Sequence, residues 1–276
     1  LIGFGDRVFF SADDGINGYE LWVSDGTKAG TVMVKNINEK LKSSCADETD
    51  CHSSMRGYFA VHPGSSSQKL PPRLFFSALD GINGEALWYT DGTAEGTEML
   101  IDIYNGTSPE YGGEGPTFMT FGIIGTSRKS ALSFNACDRT HGCELWMSDG
   151  TKEGTQLVKD INEKPSGSCG LAYPDTGSTA CGSGVQSIVV FDSKIFFSAN
   201  DGIHGEELWT SDGTAGGTKM VKDIYAGNCV LDGHTAPCSS GPRYLTVFGD
   251  KIYFAAVNRS NNEELWMSDG TEGGTE

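Results

Sequence analysis

No stretch of the sequence is apolar over the length that a membrane span requires, and no signal peptide is visible. Basic residues are scarce too: 20 lysines and arginines stand against 37 aspartates and glutamates, which gives a formal net charge of -17. Nucleic acids and anionic lipid surfaces need a basic partner surface, so the composition argues against nucleic acid and against adsorption to anionic membranes. The missing apolar run argues against membrane insertion of this segment. The charge instead fits a soluble surface, or one that attracts cations.

Motifs of familiar catalytic chemistry are also missing. The sequence has no nucleophile elbow and no phosphate-binding loop. Its five histidines fall in predicted loops, and none stands at the spacing of a metal site or a catalytic triad. These histidines are His52, His62, His141, His204 and His234. We therefore predict that the chain is not an enzyme, with a catalytic site assembled across several repeats as the alternative.

The eight cysteines lack the C-x-x-C spacing of metal sites and fall into four close pairs. We predict four local disulfides, which are Cys45–Cys51, Cys137–Cys143, Cys169–Cys181 and Cys229–Cys238. Two glycosylation sequons begin at Asn105 and Asn258. Paired cysteines and sequons together indicate an extracellular or cell-surface location reached through the secretory pathway, with reduced cytosolic thiols as the alternative.

One stretch recurs from end to end of the chain. Glu-Leu-Trp-Val-Ser-Asp-Gly-Thr at 20–27 returns in closely similar form at 86–93, 144–151, 207–214 and 264–271, and Gly-Thr follows each copy. The motif holds every tryptophan of the chain: Trp22, Trp88, Trp146, Trp209 and Trp266. Its turn aspartates are Asp25, Asp91, Asp149, Asp212 and Asp269. A repeat this strict defines an architecture before it defines an activity.

Each repeat is typical of four short strands joined by tight turns. In the first repeat the predicted strands are 1–4, 7–12, 19–24 and 32–37. Four-stranded units in tandem, without helices, predict an all-β fold: a β-propeller of four-stranded antiparallel blades. Five blades are recognisable, the last one truncated, at approximately 1–40, 56–104, 117–163, 185–226 and 244–276. An extended stack of hairpin units is the alternative, and it would expose more strand edge.

The domain organisation follows from the repeat. The motifs span 1–276 with no break in composition, which predicts a single propeller-like array. The sequence starts at Leu1 inside a predicted strand and stops at Glu276 partway through a repeat. We therefore expect it to be a piece of a longer protein.

The recurring Glu-Leu-Trp-x-Ser-Asp-Gly-Thr-x-x-Gly-Thr resembles the ELWxxDGT repeat family of large secreted and cell-surface proteins. The resemblance covers essentially the whole chain and implies a propeller-like repeat scaffold without catalytic residues in the motif. The second repeat departs from the pattern with Ala86 in place of the first glutamate, and the first repeat has Asn36 where the next three have aspartate. The cysteine-bearing links lie outside the motif, so the resemblance implies nothing about them.

The motif residues have a physical interpretation that does not depend on the family. Each tryptophan is expected to fill space between adjacent sheets, and its indole N–H then needs a hydrogen-bond partner. Each aspartate is expected to accept backbone N–H groups in its turn, while the following glycine takes a positive φ. As an alternative, the tryptophans are stacking platforms for sugars.

Oxygen-rich turns follow the second strand of several repeats. They resemble partial calcium loops, although they lack the spacing and the terminal glutamate of an EF-hand. The candidate ligands are Asp13, Asp14, Asn17, Asp80 and Asp201. Side-chain capping of an ordinary turn explains the same residues, so we predict no cofactor, with calcium at these turns as the alternative.

The topology of a meander places all disulfide candidates and both sequons on one face. The opposite face carries tight turns and the long loop at 62–72. We predict a non-enzymatic extracellular structural or adhesion module within a larger surface or filament assembly. Its expected partners are other proteins of that assembly or copies of itself. A lectin-like propeller that binds glycans or proteins is the second hypothesis, and a secreted enzyme is the third.

Overall fold

The computed structural model describes residues 1–39, 55, 57–64, 70–105, 115–126, 129–165, 181–231 and 234–276. Within these ranges every regular element is a β-strand. The strands form antiparallel sheets in which sequence neighbours pair, so each sheet is a meander. The predicted fold class is therefore confirmed: the protein is all-β and built from propeller-type four-stranded antiparallel blades, the fifth of which has three strands.

The strands of each blade have the following bounds. The first blade contains β1 Ile2–Phe4, β2 Arg7–Asp13, β3 Tyr19–Ser24 and β4 Val32–Lys35. The second contains β5 Phe59–His62, β6 Arg73–Leu79, β7 Glu85–Thr90 and β8 Glu98–Ile101. The third contains β9 Thr117–Ile124, β10 Lys129–Asp138, β11 Gly142–Ser148 and β12 Gln156–Lys159. The fourth contains β13 Gln186–Phe191, β14 Lys194–Asn200, β15 Glu206–Ser211 and β16 Lys219–Lys222, and the fifth contains β19 Arg243–Phe248, β20 Lys251–Val257 and β21 Glu263–Ser268.

An additional hairpin interrupts the link between the fourth and fifth blades. Its strands are β17 (Asn228–Leu231) and β18 (His234–Pro237). A disulfide joins Cys229 to Cys238 across its base. The sequence pattern predicts only a link here, because these short strands carry no clear apolar alternation and the disulfide supplies the closure that a core would otherwise give.

The chain folds into two compact units. The first unit holds residues 1–119 together with 150–152, and the second holds 120–149 and 153–276. The first two blades therefore lie in the first unit, and the fourth and fifth blades lie in the second. The predicted single array of 1–276 stays a prediction.

The second strands of the second, third and fourth blades are buried on both faces, as a sheet packed between neighbours requires. Leu74, Phe75 and Phe76 of β6 are all completely inaccessible to solvent. The same continuous apolar run recurs in β14. In the first four blades, the pairing of the third and fourth strands shifts between the motif leucine and tryptophan, a β-bulge that recurs at the same place.

The Asp-Gly-Thr turn is stabilised by its own side chains. Asp25 Oδ1 accepts hydrogen bonds from the amide and the hydroxyl of Thr27, at 2.9 and 2.8 Å. The Thr27 hydroxyl oxygen in turn accepts from the amide of Gly30 at 2.9 Å. A Cβ on Gly30 would lie 2.0 Å from the Asp25 carboxylate, so only glycine fits there. The same bonds recur around Asp91, Asp212 and Asp269.

Neighbouring blades of one unit are joined by a lysine. Lys35 Nζ at the end of β4 donates to the carbonyl oxygen of Thr97 in the second blade, at 2.7 Å. Within the second unit, Lys159 donates to Thr218 and Lys222 donates to Thr275 in the same way, at 3.1 and 2.6 Å. These ammonium–carbonyl bonds recur because the fourth strand of one blade lies against the last turn of the next.

The first glutamate of the motif is buried in the first, third and fourth blades. Glu144 is fully inaccessible and accepts from the amides of Ile161 and Asn162, at 3.2 and 3.3 Å, and from the amide and hydroxyl of Ser183, at 3.0 and 2.6 Å. Glu207 makes the equivalent bonds in the fourth blade. Each glutamate thereby fixes the end of its own blade to the segment that leads into the next.

Candidate functional site

A cleft of about 510 Å³ opens in the first unit, between the turns of the first blade and those of the second. It lies where the β1–β2 turn, the β5–β6 loop and the β7–β8 turn meet. The residues that line it are Phe4, Gly5, Asp6, Arg7, Phe9, Val61, Pro63, Pro72, Asp91 and Gly92. Its volume is in the range of about 300–1,000 Å³ that is typical of small-molecule sites.

Aromatic rings form one wall of the cleft. The ring centroids of Phe4 and Phe9 are 5.8 Å apart with a tilt of 57°. Phe9 is 1% exposed and anchors this wall in the core. A Cβ on Gly92 would lie 3.2 Å from the Phe9 ring, so glycine is what lets the turn of the second blade approach the aromatic wall.

Two prolines and a valine from the second blade form the facing part of the lining. Pro63 and Pro72 flank the loop between β5 and β6, and Gly64 lies close to the Pro72 ring, since a Cβ on Gly64 would be 3.0 Å from it. The buried His62 accepts a hydrogen bond from the amide of Gly64 through Nδ1, at 2.8 Å. Burial lowers the pKa of His62, so its imidazole is neutral and structural at pH 7.

Three charged groups reach the cleft. The Asp6 carboxylate and the Arg7 guanidinium project from the β1–β2 turn, 3.9 Å apart, with side chains 97% and 53% exposed. Asp91 accepts hydrogen bonds from the hydroxyl and the amide of Thr93, and these bonds lower the pKa of Asp91. The cleft therefore offers two carboxylates and one guanidinium beside an apolar wall.

A cation–π contact lies in the second blade, between residues that do not line the cleft. The Arg73 guanidinium stands 3.9 Å from the centroid of the Tyr89 ring, and the Tyr89 hydroxyl donates to Glu98. Burial raises the pKa of Tyr89, which keeps the phenol protonated. The side chains that line the cleft include no serine, cysteine or histidine, so its described lining suits recognition by hydrogen bonds and apolar contact.

The motif tryptophans occupy the third strands and are largely covered. Trp88 and Trp209 are 7% and 6% exposed. No tryptophan lines the cleft. Within the described part of the chain, none of the five indole nitrogens has a hydrogen-bond partner, in contrast to the expectation that each indole N–H finds one. The five motif aspartates follow the third strands, and of these only Asp91 lines the cleft.

Two of the four predicted disulfides fall within the described residues. Cys137–Cys143 joins directly opposite residues of β10 and β11, and Cys229–Cys238 braces the extra hairpin. The pairs Cys45–Cys51 and Cys169–Cys181 each include a cysteine that lies outside the described residues.

Both sequon asparagines lie in loops, and their glycosylation stays a prediction. The exposed Asn105 follows β8 with a φ of 49°, and its amide donates to Asp102 at 3.0 Å. Asn258 lies between β20 and β21, where its Oδ1 accepts from the amide of Ser260 at 2.8 Å. Neither lines the cleft.

The candidate calcium ligands form hydrogen bonds within their own turns. Asp14 Oδ1 accepts from the amides of Ile16 and Asn17, at 2.9 and 2.8 Å, and the Asn17 side chain donates to Asp14 Oδ2. Asp80 and Asp201 make the same backbone bonds, and the amide of Gly15 donates to Asp13. The described residues contain no group of three or more His, Cys, Asp or Glu side chains arranged for a metal. Calcium at these turns stays a prediction.

Asp6 and Arg7 are the site residues that sequence reasoning missed. The loop at 62–72 is conspicuous by its length. The Gly5-Asp6 turn recurs at Gly249-Asp250, and a recurring turn indicates a structural role and not a binding role. The sequence feature that could have identified this site is Arg7, the basic residue that follows the Gly5-Asp6 turn. Arginine begins the second strand in the first and second blades, at Arg7 and Arg73, where the fourth and fifth blades have lysine.

Sequence comparisons return no match. No family model matches the chain, and no curated protein matches it. The resemblance to ELWxxDGT repeat proteins therefore stays a prediction.

Solved structures with a similar arrangement include three of different kinds. A puromycin hydrolase is 12% identical with a TM-score of 0.49, and the match covers 94% of this chain and 32% of the hydrolase. TolB from Acinetobacter baumannii is 9% identical, with a TM-score of 0.44 and coverage of 94% and 51%. A thermostable family-43 glycoside hydrolase is 12% identical, with a TM-score of 0.39 and coverage of 96% and 87%. The chain thus spans about a third of the puromycin hydrolase and half of TolB.

These neighbours correct the functional prediction. The expectation of a non-enzymatic extracellular structural or adhesion scaffold is wrong, because the similar solved structures include enzymes and give a non-enzymatic role no support. At identities of 9% and 12% the similarity concerns the fold and assigns no reaction to this chain.

Proposed function

We propose that the cleft of the first unit binds a saccharide and serves substrate or ligand recognition. The observation that carries the proposal is the combination of an aromatic and proline wall with two carboxylates and a guanidinium in one cleft of about 510 Å³. A sugar ring presents an apolar C–H face and a rim of hydroxyls that both donate and accept hydrogen bonds. The apolar wall suits the first feature and Asp6, Arg7 and Asp91 suit the second.

Charge disfavours the competing small ligands. Two carboxylates outnumber the single guanidinium in the cleft, and the whole chain carries a formal net charge of -17. Phosphorylated and other anionic ligands would be repelled by this surface. A neutral polyol keeps full hydrogen bonding to both charge types without that cost.

Disulfides support an extracellular location for this recognition. Two are present in the described part of the chain, and bonds of this kind persist in oxidising compartments. The described residues contain no helix suited by length and apolarity to crossing a bilayer. Soluble glycans outside the cell are therefore the saccharides to test first.

Titration calorimetry with a panel of mono- to trisaccharides tests the proposal. We expect saturable binding of at least one saccharide, weakened about tenfold or more by Asp6→Ala or Arg7→Ala, as the loss of a charged hydrogen bond predicts. Asp250→Ala is the matched control, because Gly249-Asp250 forms the same turn with the same φ of 64° in the fifth blade. Assaying the bound saccharide for cleavage in parallel distinguishes an enzyme from a binding protein. Absence of binding across the panel, or equal affinity in the Asp6→Ala and Asp250→Ala proteins, would refute the assignment.

A further inference from the structure

The charged groups that line the cleft do not balance. The carboxylates of Asp6 and Asp91 face a single guanidinium, that of Arg7. Arg7 also acts on a carboxylate outside the lining: hydrogen bonds from Thr27 lower the pKa of Asp25, and Arg7 adds a smaller electrostatic attraction. The guanidinium is therefore shared among several carboxylates, and a net negative charge is left in the cleft for a ligand to neutralise.

Asp6 and Arg7 do not neutralise each other by a close contact. Asp6 Oδ1 and Arg7 Nε are 3.9 Å apart, which is beyond hydrogen-bond distance, and their side chains are 97% and 53% exposed. An exposed pair at this distance gains little from its own attraction. The Asp6 carboxylate thus keeps its capacity to accept hydrogen bonds from a ligand, and its charge adds to that of Asp91.

Asp91 is an acceptor whose orientation is fixed by its own turn. The hydroxyl and the amide of Thr93 both donate to Asp91 Oδ1, at 2.7 and 2.9 Å. These bonds lower the pKa of Asp91, with a smaller contribution from the charge of Arg73, so the carboxylate is ionised at neutral pH. Among the described residues no donor is bonded to Asp91 Oδ2. A carboxylate that is already oriented loses little conformational entropy when it binds a ligand.

The guanidinium of Arg73 is held by groups outside the cleft lining. It stands 3.9 Å from the centroid of the Tyr89 ring and donates to the carbonyl oxygen of Gly150 at 3.5 Å. Arg73 does not line the cleft. It therefore assists the ionisation of Asp91 without occupying the place of a ligand.

We propose that the ligand of the cleft is a saccharide with a free, protonated amino group, a 2-amino-2-deoxy sugar, whose ammonium is bound by Asp91 Oδ2. This inference rests on the proposed saccharide recognition and names the class of sugar. An ammonium donates up to three hydrogen bonds, and those it makes to a carboxylate are about twice as strong as neutral ones. Acetylation of the amine removes the positive charge, and a uronic acid would add a negative one.

Titration calorimetry with three disaccharides of the same linkage tests the inference. The probes contain glucosamine, N-acetylglucosamine or glucose, and the titrations are run at about pH 6, where an amine is protonated. We expect the glucosamine disaccharide to bind at least about tenfold more tightly than either of the others, as one hydrogen bond between charged groups predicts. This preference should decrease as salt is added, because the charges are exposed and are screened.

Asp91→Asn should remove the preference and leave the turn in place. The asparagine side chain still accepts from Thr93 through its oxygen but has an amide nitrogen in place of Oδ2, so we expect less than about twofold preference for glucosamine. Asp269→Asn is the matched control, because Asp269 accepts the same two bonds from Thr271, at 2.7 and 2.9 Å, and does not line the cleft. Asp6→Asn is a second variant at a fully exposed position and should reduce the preference without affecting the fold, which urea unfolding checks.

The possible failures are distinguishable. Similar affinity for all three disaccharides, or tightest binding of the N-acetylated one, would overturn this inference and leave saccharide recognition standing. A preference for glucosamine that persists in both Asp91→Asn and Asp6→Asn would overturn it as well. No binding of any of the three would refute saccharide recognition together with this inference. Equal affinity for lysine amide, which has an ammonium but no sugar ring, would also refute both and would indicate a basic peptide as the ligand.

Discussion

At the scale of single residues, glycine determines how closely a turn approaches its neighbour. Gly92 and Gly26 both follow a motif aspartate and both have a left-handed φ, of 96° and 88°. A Cβ on Gly92 would lie 3.2 Å from the Phe9 ring, whereas a Cβ on Gly26 meets nothing within 4 Å. A comparison of substitutions at the two glycines therefore separates the free-energy cost of backbone strain from the cost of overpacking.

Replacing each of these glycines by alanine should destabilise the chain to different extents. Gly26→Ala is expected to cost only the left-handed strain, about 1–2 kcal/mol. Gly92→Ala adds overpacking against Phe9, which costs about 1–3 kcal/mol more. Urea unfolding of the two variants measures the difference in the free energy of unfolding. Equal destabilisation would show that the added Cβ at position 92 causes no overpacking cost against Phe9.

At the scale of the structural elements, the repeat made most of the strands predictable and left the cleft unpredictable. The Asp-Gly-Thr turn can be predicted from the sequence because its aspartate, threonine and glycine form hydrogen bonds with one another within one short segment. Asp6 and Asp91 instead come together through the packing of two blades, which no local pattern records. The β17–β18 hairpin was missed for a related reason, since its closure depends on the bond between Cys229 and Cys238.

The lysine at the end of a fourth strand should stabilise the packing of two blades. Lys35→Met keeps the apolar stem of the side chain but removes the bond to the Thr97 carbonyl. We expect a loss of about 1–2 kcal/mol in the free energy of unfolding, the usual contribution of a hydrogen bond from a charged group. Lys28→Met in an exposed turn is the control and should change the stability little. If both variants unfold at the same urea concentration, the lysine does not stabilise the blade pair.

At the scale of the whole molecule, stability should depend on pH through two sets of carboxyl groups. Burial raises the pKa of Glu144 to about 8 and that of Glu207 to about 7, from an ordinary value of 4.5. These two carboxyl groups hold a proton more readily in the folded chain than in the unfolded chain. Their contribution is therefore complete below about pH 4.5 and is lost as the pH rises towards 8.

The turn aspartates act in the opposite direction. Hydrogen bonds from Thr93 and Thr214 lower the pKa of Asp91 and Asp212 below the ordinary 3.8, so their contribution is present above that pH and is lost in stronger acid. We expect the free energy of unfolding to be highest between the two windows, near about pH 5, and to fall towards pH 8. Urea titrations across this range check the prediction, and Glu144→Gln should flatten the alkaline side. Higher stability at pH 8 than at pH 5 would contradict it.

The central claim is that the cleft of the first unit binds a saccharide, and an amide chemical-shift map tests it most directly. Titrating the best-binding saccharide into the isotope-labelled chain should shift the amides of Gly5, Asp6 and Gly92, which line the cleft. The matching turn at Gly249-Asp250 should stay unchanged, because it has the same backbone but does not line the cleft. Shifts confined to the fifth blade, or no shifts at saturating saccharide, would contradict the claim.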